Sequence, residues 1–374
     1  MHGIPLLAGL HHGAEAFPRI WCRELQFRLF LEKEDTMTIG WAMIGTGRVH
    51  RQMAKAIKAA KDTELIAVLS RDRARADTFV EKYGIAKTYD SLDEMLQDPK
   101  IEVVYIASPN GLHARQTIRV AESKKHVFCE KPMAPTPKEC RSMIESCKAH
   151  GVKLGIGLQF RQHPAHIKMR EMVASGELGR LVFASAQVEI LATWVPGWYY
   201  DPELSGGGVM YMVGVHRLDL LRFILGCEVE EVSAFIGEQP PDRPFEDTVA
   251  AVLRFTNQAY GTIHFSMNIP QGTSHLEVHG SQASLFAIDT TSQWWGGGGG
   301  ELLMKSDKIT TRFEFQKTDL YKDEIEDFNR CIRENREPMA TGMDGLRNAE
   351  ISVAMFESGR QGKKISIESP AKSS

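Results

Sequence analysis

"IGTGRVH", residues 44–50, is the place where an apolar run breaks into a turn and a helix begins. Residues 39–44 read as a short buried strand. Val49, Met53, Ala56, Ile57 and Ala60 then recur at helical spacing. Between the two, Gly45 permits a tight turn. Gly47 lets the backbone approach a pyrophosphate, over the N–H groups that open the helix. Gly45, Thr46, Gly47, Arg48 and Val49 are therefore the expected cofactor-binding turn. A glycine pair alone is a weak signal; the strand before it and the amphipathic helix after it give it weight. The third position of such a turn favours Gly or Ala for close helix–strand packing, and here it is His50.

Outward from this turn the pattern is regular. "ELIAVLS", "IEVVYIA" and "HVFCEKP" read as further strands, with helices over residues 72–82, in "SLDEML" and in "TPKECRSMIESCKAHG". Ser91 and Glu94 stand in capping-box positions. Thr136, Pro137 and Glu139 open the last helix and Gly151 ends it. This alternation predicts an α/β architecture, a doubly covered parallel sheet that binds ligands at the carboxyl ends of its strands. The expected dinucleotide-binding domain covers residues 38–157. Its second strand ends in Ser70-Arg71-Asp72. An acidic residue there would bind the ribose 2′-hydroxyl of NAD, whereas serine followed by arginine suits the 2′-phosphate of NADP. NADP is favoured over NAD, with Asp72 taking the acidic role if the strand runs further.

A chain of 374 residues exceeds one compact core, so a second domain is expected over residues 158–367. There "LVFASAQVEI", "EVEEVSAFIG", "DTVAAVLRF", "AYGTIHFSM" and "SHLEVHGSQASLFAI" are strand-like. A net charge of -3 gives no basic field for nucleic acid, and no apolar run approaches the ~20 residues that span a bilayer. The six cysteines form no CxxC pair and read as core thiols of a reducing, cytoplasmic compartment. No metal site is expected: His11 and His12 are isolated, and no His, Cys and carboxylate cluster has ligand spacing. Residues 1–37 lack the order of a signal peptide and read as an extension outside the fold; residues 368–374 read as a tail. "WWGGGGG", residues 294–300, is low-complexity and carries no expected chemistry.

"CEKPMA", residues 129–134, supplies a second anchor. Together with "GTGRVH", "SRDRARADTFVEKYG", "ASPNGLHA", "FRQHPAH", "SGELGRL", "DPELSGGG" and "GVHRLD", it resembles the Gfo/Idh/MocA oxidoreductase family. That family includes glucose–fructose oxidoreductase and inositol dehydrogenases. The resemblance runs from about Thr38 to about Ile367. It implies an N-terminal Rossmann domain and a C-terminal α/β domain on a large, mostly antiparallel sheet, one face of which makes a homodimer or homotetramer. It also implies hydride transfer between NAD or NADP and a secondary alcohol or ketone of a sugar, polyol or sugar derivative.

The resemblance places Lys131 beside the nicotinamide as the proton-transfer residue, with Glu130 next to it. His216 matches the family's substrate-facing histidine. The aspartate that usually stands four residues earlier is Met212 here. At ~100° per residue Val209, Met212, Val213, His216 and Leu220 share a helix face. Without the carboxylate the imidazole is less readily protonated; Asp219 is a partial substitute directed toward the flank. Asn110 and His113 follow the third strand and are expected at the nicotinamide end, or His113 faces solvent at a helix start. Arg161 and His163 are expected to reach the sugar. Trp198 and Tyr199, with Tyr200, either stack on a sugar ring or pack the domain junction. Two other functions fit the same fold: redox-neutral glycoside cleavage, and a dinucleotide- or sugar-sensing regulator. Retention of both Lys131 and His216 argues against the regulator.

Overall fold

Every residue of Ile39–Ile44 is buried, as in a central strand covered on both faces. This is β1. It is followed by α1 (Arg48–Ala59), β2 (Thr63–Leu69), α2 (Arg73–Tyr83), β3 (Lys87–Tyr89), α3 (Leu92–Leu96) and β4 (Val103–Ile106). Then come α4 (His113–Glu122), β5 (His126–Glu130), α5 (Pro137–Ala149) and β6 (Leu154–Gly157). The strands pair in the order β3-β2-β1-β4-β5-β6, and every pairing is parallel. The order reverses between β1 and β4, so the carboxyl end of β1 opens onto the crevice where such sheets bind ligands.

This computed structural model describes residues 38–237, 243–270, 274–291 and 299–368. The extension 1–37, most of "WWGGGGG" and the tail beyond residue 368 lie outside the described residues. The second half continues with α6 (Pro164–Ala174), β7 (Leu181–Glu189), α7 (Pro202–Ser205), α8 (Val215–Leu225), β8 (Val229–Ile236), β9 (Thr248–Phe255) and β10 (Tyr260–Ser266). It closes with β11 (Ser274–Gly280), β12 (Ala283–Ile288), β13 (Gly300–Ser306), β14 (Thr310–Phe315), α9 (Leu320–Glu334), α10 (Gly342–Gln361) and β15 (Ile365–Ser366). Nine strands form one sheet, β14-β13-β12-β11-β7-β10-β9-β8-β15, in which β7 and β10 pair in parallel and the remaining pairs are antiparallel. The Rossmann sheet and the large, mostly antiparallel sheet expected from the sequence are both present. No helix of the described residues is long and apolar enough to cross a membrane.

Helix α9 returns to the first sheet. Its Phe328 packs against Trp41 and Phe128, with ring centroids 6.0 and 5.2 Å apart, and Asn329 Oδ1 accepts from Trp41 Nε1–H at 3.1 Å. A Cβ on Gly155 would stand 2.8 Å from the Phe328 ring, so β6 needs glycine for this close approach.

A buried ion network ties α8 to α10 and to the turn after β6. Arg161 donates to both oxygens of Asp219 at 2.7 Å, to Asp344 at 2.9 Å and to the Met339 carbonyl at 2.7 Å. Asn348 also donates to Asp219, at 3.2 Å, and Arg222 pairs with Glu228 at 2.7 Å. Removing one member of such a network leaves an uncompensated buried charge. Asp219→Ala is expected to cost about 3–5 kcal/mol in urea unfolding. Arg161→Met combined with Asp219→Leu should recover most of that loss, because no unpaired charge then remains.

Candidate active site

At the carboxyl end of β1, Gly45 has φ +115, a conformation open to glycine, and a Cβ there would lie 2.5 Å from His50 Nε2. His50 is buried. Its Nδ1 accepts the Gly47 N–H at 2.9 Å, and its Nε2–H donates to the Ile44 carbonyl at 2.8 Å. Burial holds its pKa down at about 4, so the ring is neutral and this tautomer is set by its two partners. The residue that departs from the glycine pattern thus laces the strand end to the helix start. The turn and the α1 N-terminus behind it fit a dinucleotide, whose pyrophosphate Gly45, Thr46, Gly47, Arg48 and Val49 would hold. The Arg48 guanidinium lies 5.6 Å over the Trp194 ring, which brings the loop after β7 onto this turn.

β2 ends at Leu69, and Ser70 and Arg71 follow it directly. Ser70 Oγ bonds the backbone of Asp72 at 3.2 Å, and Asp72 caps α2 by accepting the Arg75 N–H at 3.0 Å. Arg71 is exposed.

β5 ends at Glu130, and a cis peptide joins Lys131 to Pro132. Lys131 is half-buried, and its Nζ donates to the Met212 carbonyl at 2.8 Å. Burial lowers its pKa, an effect Glu130 opposes. Glu130 accepts from Tyr105 Oη–H at 2.8 Å and from the Lys131 N–H at 3.2 Å; burial raises its pKa, against the pull of Lys131. His113 does not face solvent. It is buried between the carbonyls of Pro132, 3.0 Å from Nδ1, and Ser108, 2.8 Å from Nε2, where it clamps the loop after β4 to the Lys131 turn. Asn110 is likewise buried, donating to the Ser205 carbonyl at 2.8 Å.

Ser205 leads into the triple glycine. A Cβ on Gly208 would sit 2.0 Å from the Glu246 carbonyl oxygen, so the chain can pass here only as glycine. The Glu246 side chain accepts the N–H groups of Gly208 at 2.8 Å and Met210 at 3.0 Å, and its carbonyl accepts that of Val209 at 2.9 Å. A carboxylate on the first N–H groups of a helix is well placed against the helix dipole. The following turn, Met210–Gly214, is π-helical before α8 begins. This corrects the uniform 100° face: the wider turn shifts Met212 relative to His216. What the structure brings to Lys131 from the usual aspartate position is the backbone oxygen of Met212.

His216 is 3% exposed, and its ring meets Phe160 edge-on at 5.2 Å. Nδ1 has no hydrogen-bond partner. Burial, then the charges of Lys131 and Arg217, hold its pKa well below the ordinary value, so the ring is neutral. Asp219 does not substitute for the missing carboxylate, because Arg161 and Asn348 take its oxygens. Arg161 in turn is committed to the buried network rather than presented to a sugar. His163 is fully buried; it caps α6 by accepting the Ala165 N–H at 3.0 Å, and Nε2–H donates to the Gly299 carbonyl at 3.2 Å. Trp198 stacks on Tyr199 at 4.1 Å, and Tyr199 is buried edge-on to Phe245 at 5.9 Å. Of the two roles open to these aromatics, packing is the one observed for Tyr199.

Lys131 and His216 come together; Arg161, His163 and Tyr199 stand in the supporting core. Glu246, Tyr105 and Phe160 went unread in the sequence. Glu246 precedes a strand-like run with nothing local to mark it, because its partners lie more than thirty residues earlier.

Residues 39–158 match the model of an oxidoreductase family with an NAD-binding Rossmann fold, and residues 166–286 match the GFO/IDH/MocA C-terminal domain. The chain belongs to the Gfo/Idh/MocA oxidoreductase family. It is 28% identical to 1,5-anhydro-D-fructose reductase of Ensifer adhaerens, over 88% of this chain and 98% of that one. It is also 28% identical to myo-inositol 2-dehydrogenase of Thermotoga maritima, over 89% and 99%. The crystal structure of aldose-aldose oxidoreductase from Caulobacter crescentus, complexed with glycerol, superimposes with a TM-score of 0.81 at 26% identity, covering 88% of this chain and all of that one.

Burial raises the Glu246 carboxyl from 4.5 to about 7. Between those values the folded state holds a proton that the unfolded state has released, so the contribution of this group falls as pH rises. In urea unfolding, the wild-type stability minus that of Glu246→Gln should drop by about 3 kcal/mol from about pH 4.5 to about pH 8, since each tenfold gain in proton affinity is worth ~1.4 kcal/mol. A flat difference would contradict the buried, proton-holding carboxyl.

Proposed function

We propose that the chain is an NAD(P)-dependent oxidoreductase that moves a hydride between the nicotinamide and a secondary alcohol or ketone of a sugar, polyol or sugar derivative. One observation carries this reading. Lys131, depressed in pKa by burial, is held by the Met212 carbonyl at the carboxyl end of a Rossmann strand, within the electrostatic reach of a neutral His216. The sugar and polyol substrates named for the relatives support the substrate class.

The cofactor, when bound, accepts or supplies the hydride. The residues of this chain handle the proton. Lys131 as the free amine takes the hydroxyl proton of an alcohol, and as the ammonium it polarises a ketone in the reverse direction. Its lowered pKa brings the amine form within reach at lower pH than an ordinary lysine allows. His216, kept neutral, positions the same substrate oxygen. Gly45, Thr46, Gly47, Arg48 and Val49 seat the pyrophosphate, and Ser70 and Arg71 the adenosine ribose. His113 and Glu130 serve the nicotinamide end by holding the Lys131 turn, and Asn110 by tying the loop after β4 to Ser205.

NADP is the preferred cofactor. β2 stops at Leu69, Asp72 is used as a helix cap and Arg71 is exposed, which supports Arg71 as the partner of a 2′-phosphate. Residues 38–157 form the cofactor domain, on whose sheet α9 packs, and the rest of residues 158–367, built on the large sheet, form the substrate domain. Phe235, Val252 and Tyr260 are exposed on the large sheet, which supports a homodimer or homotetramer through that face. Five described cysteines are free thiols, four of them buried, in keeping with a reducing, cytoplasmic setting.

Lys131→Met should lower turnover by about 10²–10⁴-fold while NADPH still binds, read by steady-state kinetics and by fluorescence titration. Undiminished turnover would overturn the role of Lys131. Arg71→Ala should weaken NADPH about tenfold and leave NADH nearly unchanged, at ~1.4 kcal/mol for a lost phosphate contact. Release of an aglycone without net NAD(P)H would assign glycoside cleavage instead.

A further inference from the structure

Arg217 follows His216 and is fully buried. The other buried arginines of the described residues, Arg161, Arg222 and Arg347, each pair with a carboxylate. Arg217 forms no such pair. Its Nη2 donates to Ser274 Oγ at 2.9 Å and to the Thr291 carbonyl at 3.2 Å, whereas Nε and Nη1 have no partner. The guanidinium lies 5.0 Å over the Phe160 ring, the ring that His216 meets edge-on, and the Nδ1 of His216 is also unpartnered.

A buried cation with no counter-charge strongly disfavours the folded state. Here burial alone drags the guanidinium down to about 9. The titratable groups that feel its charge, His166 and His216, add no negative charge. A phenylalanine face and two neutral oxygens satisfy part of the group and compensate none of its charge. The chain neighbours of Ser274 and Thr291, residues 271–273 and 292–298, lie outside the described residues.

We infer that Arg217 is an anion receptor of the candidate active site, so that the sugar this site takes carries a carboxylate or phosphate group. The oxyanion accepts from the N–H groups that Arg217 leaves unpaired, on the Phe160 side of His216. The inference rests on the reading of Lys131 and His216 as the reacting centre, and it names the substrate class that this centre handles. In this conformation the guanidinium has no access to solvent, so the anion replaces packing that now covers it.

The test uses the full chain with NADPH bound and reads binding apart from turnover. Phosphate and sulfate should raise the melting temperature of wild type and leave Arg217→Met unmoved. In calorimetry, D-glucuronate or D-glucose 6-phosphate should bind wild type at least tenfold tighter than D-glucose, and the variant should lose that preference with its NADPH affinity intact. Which of the two acids binds distinguishes carboxylate from phosphate. Without anions Arg217→Met should melt no lower than wild type, because it removes an unpaired buried charge at similar volume. Absence of any Arg217-dependent shift with phosphate or sulfate overturns the inference, as does a variant that melts several degrees lower with sugar preference unchanged. Selective acid binding without hydride transfer keeps the receptor and overturns the reading of Lys131. Turnover of neutral sugars at full rate with no anion preference does the reverse.

Discussion

The carboxylate of Glu246 on the N–H groups of Gly208 and Met210 is the contact on which the site depends. It terminates the triple glycine and starts the π turn Met210–Gly214. That turn presents the Met212 carbonyl to Lys131 Nζ, which joins the end of a Rossmann strand to the helix of the second sheet. π turns inside helices recur at functional sites, where the altered ladder re-aims a backbone group. Here the group presented is the carbonyl of Met212, the residue at the position where the family resemblance leads one to expect an aspartate. A neutral acceptor holds the lysine without adding the negative charge that would raise its pKa, so burial is left to depress it.

The cofactor turn uses the same economy of contacts. A histidine in place of a small residue would block close packing of α1 on β1 if it pointed outward. It points inward instead, beneath Gly45, and its two nitrogens serve a carbonyl of the strand and an N–H of the helix start. The ring remains neutral because burial outweighs the hydrogen bond to Ile44, and the charges of Arg75 and His113 act in the same direction as burial. The turn is therefore held by a side chain where other sequences rely on glycine packing alone.

Buried charge divides into two kinds in this chain. Arg161, Asp219, Asp344, Arg222 and Glu228 compensate one another, and their geometry accounts for the fold of α8 and α10. Arg217, on the same helix as Asp219 and Arg222, has no such account among the described residues. Two neighbouring stretches of one helix thus face opposite requirements, one closed by its own carboxylates and one open to charge from outside.

Local pattern alone established the parallel sheet, the glycine turn, the lysine at the end of β5 and the family resemblance, because each depends on residues close together in the chain. It missed β3 and β6, which are three and four residues long, the latter with two glycines, and it missed β13 and the edge strands β14 and β15 of the large sheet. It assigned Arg161 and His163 to the sugar, and the fold places them in networks whose partners are up to 183 residues distant. Periodicity at 100° per residue cannot anticipate a π turn such as Met210–Gly214, because the wider turn breaks the regular spacing on which that reading rests. The sequence by itself determined the Rossmann fold and the family, and named through that resemblance a glycine turn, a lysine and a histidine as the site to test. Only the tertiary structure decided which polar side chains are consumed by one another and which remain unpaired, because pairing of buried charge is settled by long-range packing.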